Sequence, residues 1–80
     1  MTGDPAAIQQ AIAANIRAER ARARLSQQDV AAAMRERGFA QWLYQTVGKA
    51  EQGGRRVTAD ELLALAEVLG TAPDVLWRVP

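Results

Sequence analysis

Neither cysteine nor histidine occurs among the 80 residues of this chain. Without cysteine there is no disulfide framework and no thiolate metal site, and without histidine the other common zinc ligand and a frequent general base are missing. The carboxylates of Asp29, Glu51 and Glu61 fall at helix starts or structural positions, so no set of acid, base and nucleophile emerges. We therefore expect no metal, no cofactor, no catalytic residue and no enzymatic activity.

Long apolar runs are missing as well. No segment approaches the roughly 18 apolar residues of a membrane-spanning helix, and the first five residues lack the basic and apolar regions of a secretory leader. We therefore expect a cytoplasmic protein without a membrane partner. Because 80 residues are enough for only one small core, we expect a single domain over residues 1–80, with residues 1–4 flexible.

What the chain does contain is a repeated set of helix-start signals. Ser26 followed by Asp29 has capping-box spacing, and Thr58 followed by Glu61 repeats it. Pro5 suits the first position of another helix, and no stretch alternates apolar and polar residues with period 2, so no strand is expected. The sequence predicts an all-α fold of five helices: the first over about residues 5–24, the second from residue 26, the third around residues 43–50, the fourth over about residues 58–69 and a short fifth over about residues 72–77.

The third of these helices has an unusual polar side. Leu43, Val47 and Ala50 repeat at helical spacing and predict a buried stripe. At about 100° per residue, the positions opposite and beside that stripe carry amide, phenol and amine groups instead of carboxylates. These outward residues are Gln41, Tyr44, Gln45, Gly48, Lys49 and Gln52.

The small net charge of +1 conceals an uneven distribution. Residues 15–56 hold nine lysines and arginines against four acidic residues, whereas residues 57–80 hold one arginine against four acidic residues. Attraction to phosphate depends on the local field and on released counterions, so this asymmetry suits a surface that faces a polyanion. The alternative for the arginines of residues 17–24 is an ordinary solvated helix face.

Four segments, in fixed order and spacing, carry a family resemblance. They are Leu-Ser-Gln-Gln-Asp-Val-Ala at 25–31, Thr-Val-Gly-Lys-Ala-Glu-Gln-Gly at 46–53, Arg-Arg-Val-Thr at 55–58 and Glu-Leu-Leu-Ala-Leu-Ala-Glu-Val-Leu-Gly at 61–70. Together they resemble the lambda-repressor-like helix-turn-helix family, the Cro and phage-repressor type also called XRE. The resemblance implies a five-helix DNA-binding domain with a positioning helix over residues 27–37 and a recognition helix over residues 43–52. Members of this family usually bind operators as dimers.

One departure from the family pattern is the long segment between these two helices, which spans residues 35–42 where the family has a turn of about three residues. Gly38, Phe39 and Trp42 are similar to a long-turn subgroup, and the two aromatic residues are expected to pack against the core. The longer segment leaves open where the recognition helix begins and what Gln41 does.

The resemblance also implies roles for individual residues. A glutamine can bond adenine N6 and N7, and a lysine can donate to guanine O6 and N7; phosphates are contacted by amides, hydroxyls and arginines. Glu51 resembles a structural residue that pairs with a nearby arginine or caps backbone in the following loop. Base contacts are expected from Gln41, Tyr44, Gln45 and Lys49, and phosphate contacts from Arg17, Gln27, Thr46, Arg55 and Arg56.

We therefore expect a sequence-specific double-stranded DNA-binding transcriptional regulator, a repressor that reads a palindromic operator in the major groove. We expect a homodimer held by Leu76 and Trp77, the alternative being that Trp77 folds against the first helix and completes a monomeric core. The alternative function is a protein-interaction helical module, such as an antitoxin-type regulator, with an unidentified protein partner.

Overall fold

The computed structural model describes residues 4–79, which form five α-helices and no strand. The helices are α1 (Pro5–Ala23), α2 (Gln27–Glu36), α3 (Tyr44–Glu51), α4 (Ala59–Leu69) and α5 (Pro73–Trp77). The predicted all-α fold with five helices is therefore confirmed. Of residues 1–4, which we expect to be flexible, residues 1–3 lie outside the described part. Within the described part, no helix combines the length and the apolar character needed to cross a bilayer.

Two capping boxes start the helices α2 and α4 where the sequence predicts. The Ser26 hydroxyl accepts from the Asp29 N–H at 2.9 Å, and the Asp29 carboxylate accepts from the Ser26 N–H at 2.9 Å. In the second box, Glu61 accepts from the Thr58 N–H at 2.9 Å. Each reciprocal pair satisfies two backbone donors that the first helical turn leaves free.

The core lies where the apolar faces of all five helices meet. Ile16 of α1, Met34 of α2 and Leu65 of α4 have no exposed surface. The other largest fully buried side chains are Val30, Trp42, Val47 and Leu76. The predicted burial of Trp42 is confirmed, and Phe39 packs at the edge of the same core, also as predicted.

The predicted buried stripe of α3 is correct for Val47 and Ala50 but wrong for Leu43, whose side chain is 51% exposed. The cause is the start of the helix. Leu43 is the N-cap residue and has an extended backbone, so helical spacing does not direct its side chain inward. Trp42, one residue earlier, occupies the core instead.

The burial of Leu76 contradicts its predicted role in the dimer interface. Leu76 has no exposed surface, so it belongs to the core of the domain and offers nothing to a second copy. Trp77 is 48% exposed and remains on the surface. The segment is held to α1 because the Asn15 amide donates to the Leu76 carbonyl at 3.0 Å and to the Arg78 carbonyl at 2.9 Å.

Candidate nucleic-acid interface

The outward side of α3 carries the three helical residues expected to contact bases. Tyr44, Gln45 and Lys49 are all exposed, while Val47 and Ala50 hold the opposite side of the helix in the core. Lys49 forms no salt bridge with any residue of 4–79. The helix therefore presents a phenol, an amide and an ammonium group to solvent, as the periodicity predicts.

The first residue of α2 lies against the middle of α3. A Cβ atom added at Gly48 would be 3.6 Å from the Gln27 side-chain nitrogen, an ordinary van der Waals distance, so the Gln27 amide lies directly over Gly48 of α3. That nitrogen donates to Glu51 at 3.3 Å. A glutamine amide has two N–H groups, so one is left for a ligand at this junction.

Glu51 fixes the junction of α2 and α3 through hydrogen bonds. Arg20 of α1 donates to both of its carboxylate oxygens, with an Nη2 to Oε1 distance of 3.0 Å, and only 9% of Glu51 is exposed. The hydrogen bond to Glu51 raises the already high pKa of Arg20, so this arginine stays charged. The prediction that Glu51 is a structural residue paired with an arginine is confirmed.

Thr46 and Gln41, expected to contact phosphate and bases, are hydrogen-bonded to each other at the start of α3. The Thr46 hydroxyl accepts from the Leu43 N–H at 3.2 Å and donates its proton to the Gln41 carbonyl at 3.2 Å. It closes the first turn of α3, so its proton is already used and is not free for a phosphate. Gln41 lies in the segment before α3, and its predicted place on the helix face is wrong.

Arg55, expected to contact phosphate, is engaged inside the domain. Its guanidinium donates to the Glu61 carboxylate at 2.9 and 2.7 Å and stacks over Trp42, with Cζ 4.9 Å from the ring centroid. Arg55 lowers the pKa of Glu61 from its ordinary 4.5 to about 2; burial opposes this effect, and hydrogen bonds from Thr58 and Trp42 reinforce it. The charge of Arg55 is therefore largely compensated before any ligand arrives.

Sequence reasoning missed how Glu61 joins three segments. Its carboxylate accepts from the Trp42 indole N–H at 2.8 Å as well as from Arg55 and the Thr58 backbone. Arg35 adds a bond of 2.7 Å to the Trp42 carbonyl. A buried indole N–H needs a hydrogen-bond acceptor, so Trp42 alone predicts an acceptor close to its ring. The sequence does not show which carboxylate fills that role.

Two other arginines expected to contact phosphate have no acidic partner. Within residues 4–79, Arg17 and Arg56 form no salt bridge, whereas Arg22, Arg37 and Arg78 each pair with an acidic residue. Arg17 borders a polar cleft together with Gln27, Gly48 and Gln52, so two of the expected phosphate residues meet there. No group of three or more acidic side chains in the described range could hold a metal ion.

A comparison with family models agrees with this geometry. A model described as a helix-turn-helix domain matches residues 11–78, which include α2 to α5 and most of α1. No curated protein and no solved structure matches the chain with significance. The matched range contains every residue of the polar surface described above.

Proposed function

This chain belongs to the helix-turn-helix domain family, and on that premise we propose that it is a sequence-specific DNA-binding transcriptional regulator. The observation that carries the proposal is the outward side of α3, where Tyr44, Gln45 and Lys49 are exposed. Exposed polar groups beside uncompensated cations suit a surface that meets base edges and phosphates together.

In this proposal α3 enters the major groove. Gln45 bonds an adenine through N6 and N7, and Lys49 donates to guanine O6 and N7, each contact contributing about 1 to 3 kcal/mol of discrimination. Tyr44, at the first position of α3, packs its ring against a sugar or a thymine methyl group. These contacts select sequence.

Phosphates on the two sides of the groove fix the position of the domain. Gln27 uses its second amide N–H and the free backbone donors of the first turn of α2, which favour an anion. Arg17 and Arg56 add charge without an acidic partner of their own within residues 4–79. Arg55 acts indirectly, because its ion pair with Glu61 shapes the loop that presents Arg56.

We assign the dimer contact to an apolar cleft on the side of α4 and α5. Trp77 and Leu63 are 48% and 56% exposed, and they line the cleft with Leu62, Ile12 and Val57. Two copies joined there would read two half-sites about 34 to 36 Å apart, which makes the operator palindromic. We propose that the protein bound to such an operator blocks transcription and so acts as a repressor.

The same cleft is what favours the second candidate, a module that binds another protein. Selection of bound sites from a random pool of double-stranded DNA separates the two functions. The DNA-binding proposal predicts enrichment of one motif with two inverted half-sites. A pool that stays random through repeated rounds, under conditions where the protein is folded, would contradict it and favour the protein partner.

A further inference from the structure

Leu43 occupies a position where two local preferences are broken at once. It is the N-cap of α3, and it provides no side-chain hydrogen bond to the free N–H groups of the first turn, although serine, threonine, aspartate and asparagine strongly favour this position. Its side chain is also 51% exposed. Departures from local preference without a folding benefit are expected mainly at functional sites.

Leu43 does not belong to the hydrophobic core. The neighbouring core positions are filled by Trp42 and Val47, which are 1% and 0% exposed. Leu43 instead borders a cleft between α2 and α3 together with Gln28, Tyr44 and Gln45. Its methyl groups therefore lie on the surface that carries the proposed base-reading side chains.

The chemistry of the major groove limits which groups a leucine side chain can contact there. Donors and acceptors on the base edges offer nothing to an aliphatic side chain, and the apolar group among the four standard bases is the C5-methyl of thymine. A 5-methylcytosine places the same methyl group at the same ring position.

We propose that Leu43 is a specificity residue that packs against the C5-methyl group of a pyrimidine in the major groove. This inference rests on the proposed function. It adds a methyl contact that Gln45 and Lys49 do not make, and the Leu43→Ser variant separates this contact from any thymine contact of Tyr44. Removing one methyl group from such a contact should weaken binding about three- to fivefold.

The experiment uses the best operator found by selection and measures affinity after single base changes. Each thymine is replaced in turn by deoxyuridine, which lacks only the methyl group, and each cytosine is replaced in turn by 5-methylcytosine. The wild-type protein should lose about three- to fivefold in affinity at one uracil position in each half-site if the methyl belongs to thymine. If the contacted base is a cytosine, its methylation should strengthen binding by a similar factor.

The variant Leu43→Ser tests whether Leu43 causes the sensitivity of binding to the methyl group. Serine is a good N-cap, so the variant should remain folded and melt at the same or a higher temperature, while its affinities for methylated and unmethylated sites become equal. Ala72→Ser provides the matched control, because Ala72 is an exposed N-cap residue of α5 that likewise has no side-chain hydrogen bond, and the change should leave the ratio of the two affinities unchanged.

Three results would overturn the inference. The first is wild-type binding that is insensitive to every methyl group. The second is a Leu43→Ser variant that keeps the wild-type ratio of affinities for methylated and unmethylated sites. In both cases the protein still binds DNA specifically, but Leu43 does not contact a methyl group. If the wild-type protein binds no DNA sequence preferentially, the proposed function fails and the inference fails with it.

Discussion

Arg24 holds a backbone conformation that glycine would adopt at lower cost. Its φ of 58° lies in the left-handed region, and among residues 4–79 the other positive values belong to glycines. The position ends α1, where its N–H bonds to the carbonyls of Ala21 and Arg20. A side chain at this position costs roughly 1 kcal/mol or more in steric strain.

Arg24→Gly should therefore stabilise the domain. Relief of the strain outweighs the added freedom of glycine in the unfolded chain, so we expect a gain of up to about 1 kcal/mol and a melting temperature several degrees higher. Arg17→Gly is the matched control, since Arg17 is an exposed residue within α1 that forms no salt bridge in residues 4–79, and glycine there should cost about 1 kcal/mol. Equal losses of stability in the two variants would show that Arg24 is not strained.

Single residues also show where sequence reasoning about the site succeeds. The exposure of Gln45 and Lys49 follows from helical periodicity, because both lie opposite a buried stripe that includes Val47. The state of Arg55 does not follow, because an arginine in a loop looks the same in sequence whether it is solvated or paired. Its partner is decided by the tertiary placement of Glu61 and Trp42.

Among elements, the segment between α2 and α3 depends most on distant contacts. The starts of α2 and α4 could be predicted because a capping box is complete within four residues, as at Ser26 and Asp29. The start of α3 depends on Trp42 docking onto Glu61, which lies 19 residues later in the chain. For that reason the exposure of Leu43 and the place of Gln41 could not be predicted from local pattern.

Glu61 should make the stability of the domain depend on acidic pH. Its folded pKa of about 2 lies below the ordinary 4.5 of the unfolded chain, so its contribution is fully present above pH 4.5 and is lost as the pH falls toward 2. The shift corresponds to about 3 kcal/mol. The lowered pKa of Asp29, whose carboxylate accepts from the Ser26 N–H, acts in the same direction.

Glu61→Gln should flatten the loss of stability over this pH range and should destabilise the domain at neutral pH, because Arg55 loses its counterion. Urea unfolding at several pH values measures both effects. Glu67→Gln is the control, since Glu67 pairs with Arg37 on the surface, with 71% of its side chain exposed, and little change is expected. An unchanged pH dependence in Glu61→Gln would assign the acid sensitivity to other carboxylates.

At the scale of the whole molecule, the uneven charge should appear as a salt-dependent affinity. The logarithm of the binding constant should fall with the logarithm of salt concentration by about 0.9 per phosphate contacted. Arg56→Ala should flatten this slope by about one unit on all sequences alike. Arg55→Ala should mainly lower the melting temperature, since Arg55 is paired with Glu61. If Arg56→Ala keeps the wild-type slope, Arg56 does not contact a phosphate.

Dimer formation should depend on Trp77 and not on Leu76. In sedimentation we expect the wild-type protein to be a dimer and Trp77→Ala to be a folded monomer at the same concentration, because Trp77 is 48% exposed in the single domain. Leu76→Ala should instead cost about 2 to 5 kcal/mol of stability, since it leaves a cavity in the core. A wild-type monomer, or a Trp77→Ala variant that stays dimeric, would exclude this interface.

Repeating the selection from random DNA with Gln45→Ala tests most directly whether the outward side of α3 reads base sequence. Gln45 is exposed on α3, so the variant should keep the wild-type melting temperature and nonspecific affinity. Its selected motif should lose preference at one base pair in each half-site, with a cost of about 1 to 3 kcal/mol on the wild-type operator. A motif identical to that of the wild-type protein would show that α3 does not read DNA in the orientation proposed.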